Sequence, residues 1–404
     1  MSKLWRLCRK PLLVFVTVGA VYSASIFVGG HTESPKLAYY DALARAFLQG
    51  RLDLNPPPHT HDLTHHENRW YVPFPPLPAL ILLPWAATGL PINAVYFSVL
   101  IGALNAMLVY LFLRALRTHG FISLDDRGLD WLTWLFAFGT VHWYVSLEGT
   151  VWFLAQICTV TGIACAAWFA AAGRSPWLVG AALGVAMLGR PHVVFVWIFL
   201  LGMGLEHNRK RPLQSYRLHT LHWAGASLVC VFFAVAGLLA YNQARFGNPL
   251  DFGYRHQNVD AGLRGKLGEI GQFHVRYVKH NAWVMFAKLP HWDAQRRMLT
   301  PDLEGMSLLV STPALLLLWA ACKRRPWVIG AWFSVGLIMV PLLCYYNTGW
   351  MQFGYRFSLD FWVPVIALLS LAAGKRVGWV FRSLCLLSLV INAWGTGWWL
   401  TTEH

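Results

Sequence analysis

Long apolar runs separated by short polar connections set the pattern of this chain. They cover about 12–30, 92–116, 129–147, 150–172, 177–190, 192–206, 220–243, 306–321, 327–345, 359–374 and 378–399. None alternates every second residue as a barrel strand would, so each reads as a helix. About 20 apolar residues cross the hydrocarbon of a bilayer, and in lipid a helix satisfies its own backbone. The pattern predicts an all-α polytopic membrane protein of about eleven transmembrane helices, one domain over 1–404. The run 177–190 is short and ends in Gly189-Arg190-Pro191. That tripeptide reads as a break, because proline has no N–H to donate and disfavours helix in the residue before it.

Two long polar stretches interrupt the runs, 31–91 and 242–304. The first opens with a helical period, with Leu37, Tyr40, Leu43, Ala44, Phe47 and Leu48 on one face and Gly50 as a stop. After Pro56-Pro57-Pro58 comes a polar turn over 59–67. The apolar stretch 79–89 is too short to span and reads as an interfacial helix anchored by Trp85.

Composition agrees with burial in lipid. Hydrophobic residues make up 56% and charged residues 13%, against about a quarter charged in soluble domains. There are 22 Trp, and the mean hydropathy is +0.45. The formal charge of +15 would suggest nucleic acid in a soluble protein. Here no aromatic-basic recognition module accompanies it, and nucleic acid is set aside. The positions of the cations carry more information. With the N-terminus in the cytoplasm, Lys3, Arg6, Arg9 and Lys10 precede the first span, which reads as uncleaved. Arg114, Arg117 and Arg127, then Arg174, then Arg209, Lys210, Arg211 and Arg217, then Lys323, Arg324 and Arg325, then Lys375 and Arg376 all fall on that same side. This satisfies the positive-inside bias repeatedly and leaves both long loops outside. The seven cysteines, Cys8 among them, lie in apolar runs or near cytoplasmic ends, so neither a disulfide framework nor a Cys-x-x-Cys zinc site is expected.

Four groups of residues could carry chemistry. The first is the acid set of the first loop, Asp41, Asp53, Asp62 and Glu67, in a chain with only 18 acids. A general base needs such a carboxylate beside an acceptor hydroxyl; a solvated loop is the alternative. The second is His59, His61, His65 and His66 around Asp62. Imidazole with carboxylate suits a divalent cation such as Mg, Mn or Zn, with His61, His65 and Asp62 as the ligands if one binds, although the spacing matches no strict metal motif. A polar loop that titrates with pH is the alternative. The third is the basic content of the second loop: Arg245, Arg255, Arg264, Lys266, Arg276, Lys279, Lys288, Arg296 and Arg297. These suit a phosphate, or simply anionic lipid. The fourth sits at the ends of spans: Arg190 and His192; His142 and Glu148; Tyr355, Arg356 and Asp360. Ionisable groups at membrane depth line a site or pair together, and Arg356 with Asp360 has the spacing of an i,i+4 ion pair.

The order of these pieces resembles the GT-C superfamily of membrane glycosyltransferases. It is most like the protein mannosyltransferase and lipid A aminoarabinose transferase group, in an uncharacterised bacterial branch. The resemblance rests on YYDALARAFLQGRLDL over 39–54, Asp62-Leu63, WYVPFPPLPA over 70–79, GTVWF over 149–153, GRP over 189–191, YNQARFG over 241–247, FGY over 252–254 and QFGYRFSLD over 352–360. It implies transfer of a sugar from a polyprenyl-phosphate carrier to a lipid, glycan or protein acceptor on the extracytoplasmic face, with inversion. It also implies an acid of the first loop as base, basic residues on the leaving phosphate, and a divalent metal in some members only. Better-known members carry an Asp-Glu pair early in that loop; here 31–37 reads HTESPKL, with Glu33 the sole acid. The base then lies among Glu33, Asp41 and Asp62, with Asp62 preferred and Asp41 second. Arg190, Arg245, Arg255 and Arg356 are expected on the donor phosphate, and Glu148, His192, Tyr355 and Asp360 on substrate. A multi-pass protein of a bacterial inner membrane fits these features. A transporter or flippase of cell-envelope assembly is the rival reading, a non-catalytic assembly partner another, and a polymerase or ligase of surface polysaccharide shares the lipid-phosphate chemistry.

Overall fold

The computed structural model describes residues 3–209, 212–295 and 297–402, with side chains from residue 9 on. Lys210, Arg211 and Arg296, and the side chains of Lys3, Arg6 and Cys8, lie outside the described residues. The helices in chain order are α1 (Lys3–Gly29), α2 (Tyr39–Leu48), α3 (Leu77–Ala86), α4 (Ala94–Thr118), α5 (Asp126–Phe138), α6 (His142–Val145), α7 (Val151–Ala171) and α8 (Pro176–Met187). They continue with α9 (Val196–Asn208), α10 (Leu213–Phe246), α11 (Ala261–Glu269), α12 (Val278–Phe286), α13 (Leu308–Ser311), α14 (Pro326–Leu343), α15 (Trp362–Ala372) and α16 (Trp379–Thr401). The only strands among the described residues form two small hairpins in the two long loops. These are β1 (Thr64–His66) with β2 (Arg69–Tyr71), and β3 (His291–Asp293) with β4 (Met298–Thr300).

Each of the eleven apolar runs is helical, yet among the described residues only six helices are long and apolar enough to cross a membrane: α4, α7, α10, α14, α16 and the part of α1 from Arg9 to Gly29. The other five runs are short or broken. Sequence periodicity merged 129–147 into one span, but α5 stops at Gly139 before α6 begins. Run 306–321 divides at Thr312-Pro313 into α13 and a 3₁₀ turn, Pro313–Ala320. Proline ends a helix because it removes one backbone donor. The freed backbone groups find side-chain partners, as they must in lipid. Thr312 Oγ1 donates to the Gly139 carbonyl at 3.0 Å, Asn392 Nδ2 to the Ser311 carbonyl at 2.7 Å, and Ala314 N–H to Ser388 Oγ at 3.1 Å. After Pro191, Ser334 does the same for a 3₁₀ turn, Pro191–Phe195, by donating to the Phe195 carbonyl and accepting from Phe199 N–H.

The connections collect at two opposite ends. At the basic end Lys10 pairs with Asp130 at 2.8 Å, Arg117 with Asp126 at 2.6 Å, and Arg325 with Glu206 at 3.0 Å, while Asp125 N–H reaches the Lys375 carbonyl at 3.0 Å. At the other end the two long loops are stitched together. Asp62 N–H donates to the Asn258 carbonyl at 2.7 Å, Asn258 N–H to the Leu63 carbonyl at 2.8 Å, and Thr64 bridges to Gln257. Helices α2 and α3 of the first loop pack on each other and bury Tyr39, Tyr40, Leu43, Leu82 and Ala86 in a second core shared with Val151, Leu154 and Ala155 of α7.

Candidate functional site

A cavity of about 1070 Å³ opens at the loop end. Three breaks in the helical pattern build its walls. The turn before α7 contributes Glu148 and Thr150, and the first turn of α7 Trp152 and Phe153; the Gly189 break contributes Arg190 and His192; the 3₁₀ turn Arg356–Phe361 contributes Arg356 and Phe357. At Gly189 a Cβ would stand 2.3 Å from Thr159 Oγ1, so only glycine lets this break press against α7.

Asp62 lies in the cavity wall, 8% exposed and in a left-handed backbone conformation (φ 58°) that aspartate tolerates better than most side chains. Gln257 Nε2 donates to its Oδ1 at 3.2 Å, His61 Nε2 stands 3.6 Å from its Oδ2, and Trp152 also hydrogen-bonds the carboxyl. Burial pushes its pKa up to about 6; His61 and Arg356 pull the other way, and Asp260 adds to the rise. Glu148 is a second cavity acid, its Oε1 accepting from Trp399 Nε1 at 2.7 Å with His31 at 3.8 Å. Burial raises it to about 7.

Two cations face these acids. Arg190 gives Nε to Asp360 Oδ2 at 2.8 Å and stacks over Phe357. Arg356 lies between Phe153 and Phe357 and donates Nε to the Gly349 carbonyl at 3.0 Å. Its Nη1 is buried with no hydrogen-bond partner, and among the described residues no carboxylate comes within ion-pair distance of it. The i,i+4 pair with Asp360 does not form, because the segment is 3₁₀. At three residues per turn, positions four apart no longer share a face. Gln352, fully buried, fixes this segment by accepting from Arg356 N–H at 2.8 Å and donating to the Glu304 carbonyl at 2.7 Å.

The structure gathers Asp62, His61, Glu148, Arg190, His192 and Arg356 at one cavity and leaves other expected residues elsewhere. Asp41 is outside the lining, on α2, where burial raises its pKa. Glu33 is exposed and also outside the lining. Arg245 is a structural cation: its guanidinium donates to the Val72 carbonyl at 2.6 Å and to Asn242 Oδ1 at 2.8 Å, stacked on Tyr241. Arg255 lines a smaller cavity of about 350 Å³ that shares Phe252, Tyr254 and Gln272 with the large one. Tyr355 is buried outside the lining, and Asp360 stands behind Arg190 and His192. The ligand set His61, His65 and Asp62 does not assemble. His65 belongs to β1, where strand alternation turns it out to stack on Trp70, and no three His, Cys, Asp or Glu converge among the described residues. The available donors therefore do not fit a resident metal. Sequence reasoning missed Gln257, Trp399 and the tyrosines Tyr254, Tyr345 and Tyr346 of the cavity, and Gln352, which holds the Arg356 backbone. Tyr254, Gln352 and the cavity residue Trp152 lie in the quoted FGY, QFGYRFSLD and GTVWF stretches, but none was given a role there.

No protein-family model and no curated protein sequence matches the chain. The solved structures to which it is similar include the following three. The oligosaccharyltransferase of Archaeoglobus fulgidus in the apo form shows 14% identity and a TM-score of 0.45, covering 97% of this chain and 55% of that one. ArnT from Cupriavidus metallidurans bound to undecaprenyl phosphate shows 15% identity and a TM-score of 0.46, over 89% of this chain and 59% of that one. Archaeal oligosaccharyltransferase AglB from Archaeoglobus fulgidus, in complex with an inhibitory peptide and a dolichol-phosphate, shows 11% identity and a TM-score of 0.46, over 98% and 56%. The chain thus spans little more than half the length of each.

Proposed function

We propose that this protein transfers a sugar from a polyprenyl-phosphate donor to a lipid, glycan or protein acceptor at the large cavity. The cavity faces outward and the N-terminus lies in the cytoplasm of a bacterial inner membrane. The observation that carries the reading is a buried acid and a buried cation on one cavity with no ion pair between them. Asp62 is a buried carboxylate with its pKa raised, and Arg356 is a buried guanidinium with no carboxylate of its own. In the reaction the acceptor oxygen attacks the anomeric carbon as its proton passes to Asp62. The bond from that carbon to the phosphate oxygen breaks with its electrons on the phosphate, whose added charge Arg190 and Arg356 neutralise. Attack opposite to departure inverts the centre. The apolar lining from Pro341, Leu342, Phe273 and Met351 suits the first isoprene units of the carrier.

The test is transfer by purified protein from a panel of polyprenyl-phosphate sugars, comparing wild type with Asp62→Asn and Asp41→Asn. Loss in Asp62→Asn alone, with the fold intact, supports the reading. Loss in Asp41→Asn alone moves the base to the first-loop helix. Absence of transfer with every donor, together with lipid movement in reconstituted vesicles, replaces the enzyme by a flippase.

A further inference from the structure

Asp360 is completely buried, lies outside the cavity lining and holds two residues that line it. Its Oδ2 accepts from Arg190 Nε at 2.8 Å and from His192 Nε2 at 2.7 Å, and Gln156 Nε2 stands 3.4 Å from its Oδ1. An ionised carboxylate can only accept, so the short contact fixes a proton on His192 Nε2. The other ring nitrogen, Nδ1, makes no hydrogen bond to any described residue, although the imidazole borders the cavity beside Arg190. Pro191, between the two, starts the 3₁₀ turn that sends both side chains the same way.

We propose that His192 is a second catalytic residue of the transfer reaction and Asp360 its positioning residue, an inference that rests on the glycosyl-transfer reading. The donor is a phosphodiester with one charge, and its leaving group is a phosphomonoester that gains a second. Phosphomonoesters and imidazoles both exchange protons near neutral pH, so the two groups suit a proton transfer between them. As the anomeric C–O bond breaks, the Nδ1 proton of the imidazolium moves to a phosphate oxygen, leaving His192 neutral with its Nε2 proton on Asp360. The acceptor's proton goes separately to Asp62, and both residues reset through solvent. Arg190, held by the same carboxylate, supplies fixed positive charge at the same place, so Asp360 sets the position of two groups at once.

The experiment uses the full chain in lipid nanodiscs, with a polyprenyl-phosphate sugar as donor and farnesyl phosphate as a non-reacting probe. His192→Ala is expected to lower kcat about 100-fold while KM stays within about threefold, the signature of a group that acts in the transition state. Asp360→Asn is expected to follow it, with partial recovery in Asp360→Glu. His192→Ala with kcat within about threefold of wild type overturns the proposal. Histidine-selective ¹⁵N labelling gives a readout that needs no turnover. Saturating farnesyl phosphate, a phosphomonoester like the leaving group, is expected to shift the His192 Nδ1 resonance in wild type as the two groups share that proton, and an unmoved resonance overturns the proposal even if Asp360→Asn does not fold. A wild type that transfers no sugar but shows this shift removes the glycosyl-transfer reading and leaves His192 as a phosphate-contacting group only, which also overturns its catalytic role.

Discussion

Two histidines sit at breaks in membrane-embedded helices, and their surroundings have opposite characters. His142 begins α6 inside a closed network. Tyr22 Oη donates to the Ala137 carbonyl at 2.6 Å and so meets His142 Nδ1, at 2.9 Å, as an acceptor. Asn105 Nδ2 stands 3.4 Å from Nε2 and donates to the Ile157 carbonyl, while Thr161 donates to Asn105 Oδ1 at 2.6 Å. Every ring nitrogen is used, and the group seals the junction of α1, α4, α6 and α7. His192 uses one nitrogen, on Asp360, and leaves the other to the cavity, where Arg356 Nη1 and Thr150 Oγ1 also lack partners. Burying a polar group without a partner is costly, so leaving several at one cavity makes sense where a ligand completes them. A polar residue at membrane depth is thus not by itself a site; what separates the two cases is whether its valence is already filled.

The contrast can be broken at either region. The largest effect is expected from Asp62→Asn, which should reduce transfer by about 10²–10⁴-fold without loss of fold. An equal loss from Tyr22→Phe in a folded protein would place the chemistry in the closed network instead. Next comes pH. Because the Asp62 pKa is raised to about 6, the base is ionised only above that value, and initial rates should fall about tenfold per unit below pH 6. Stability runs the other way. The folded state holds this proton more tightly than the unfolded chain, so the Asp62 contribution is fully present below the ordinary aspartate pKa and is lost as pH rises through about 6. Asp62→Asn should therefore raise the melting temperature at pH 7.5 relative to wild type, by the equivalent of up to roughly 2 kcal/mol. In the closed network, Tyr22→Phe strands the Nδ1 side of His142 and should cost about 1–3 kcal/mol in detergent-melting experiments, with kcat unchanged. The smallest effect is expected at Gly268 in α11, where a Cβ would meet nothing within 4 Å. Gly268→Ala should stabilise the helix by about 0.5–1 kcal/mol, read as slower hydrogen exchange over 261–269.

Local pattern went far with the helices and less far with the site. Apolar runs located α1, α4, α7, α10, α14 and α16, because lipid imposes length and composition on a helix and both are visible residue by residue. The Gly189-Arg190-Pro191 break was legible for the same reason, since proline and glycine act on their own backbone. The split at Thr312-Pro313 was overlooked because the flanking residues stay apolar, while its compensation comes from Ser388 and Asn392, more than 70 residues on. Asp62 stood out among the few acids of the first loop, and Arg190 and Arg356 as ionisable groups at the ends of spans, but residue type could not separate Arg356, which faces the cavity, from Arg245, which holds the Val72 carbonyl. The sequence by itself determined that the chain is helical and membrane-embedded, with its cations biased to one end, because those properties follow from hydropathy and charge counted along the chain. Tertiary structure alone decided which ionisable groups share a cavity and which are already satisfied. Hydrogen bonds such as Gln257 to Asp62 and His192 to Asp360 join residues 195 and 168 positions apart, and no local period records them.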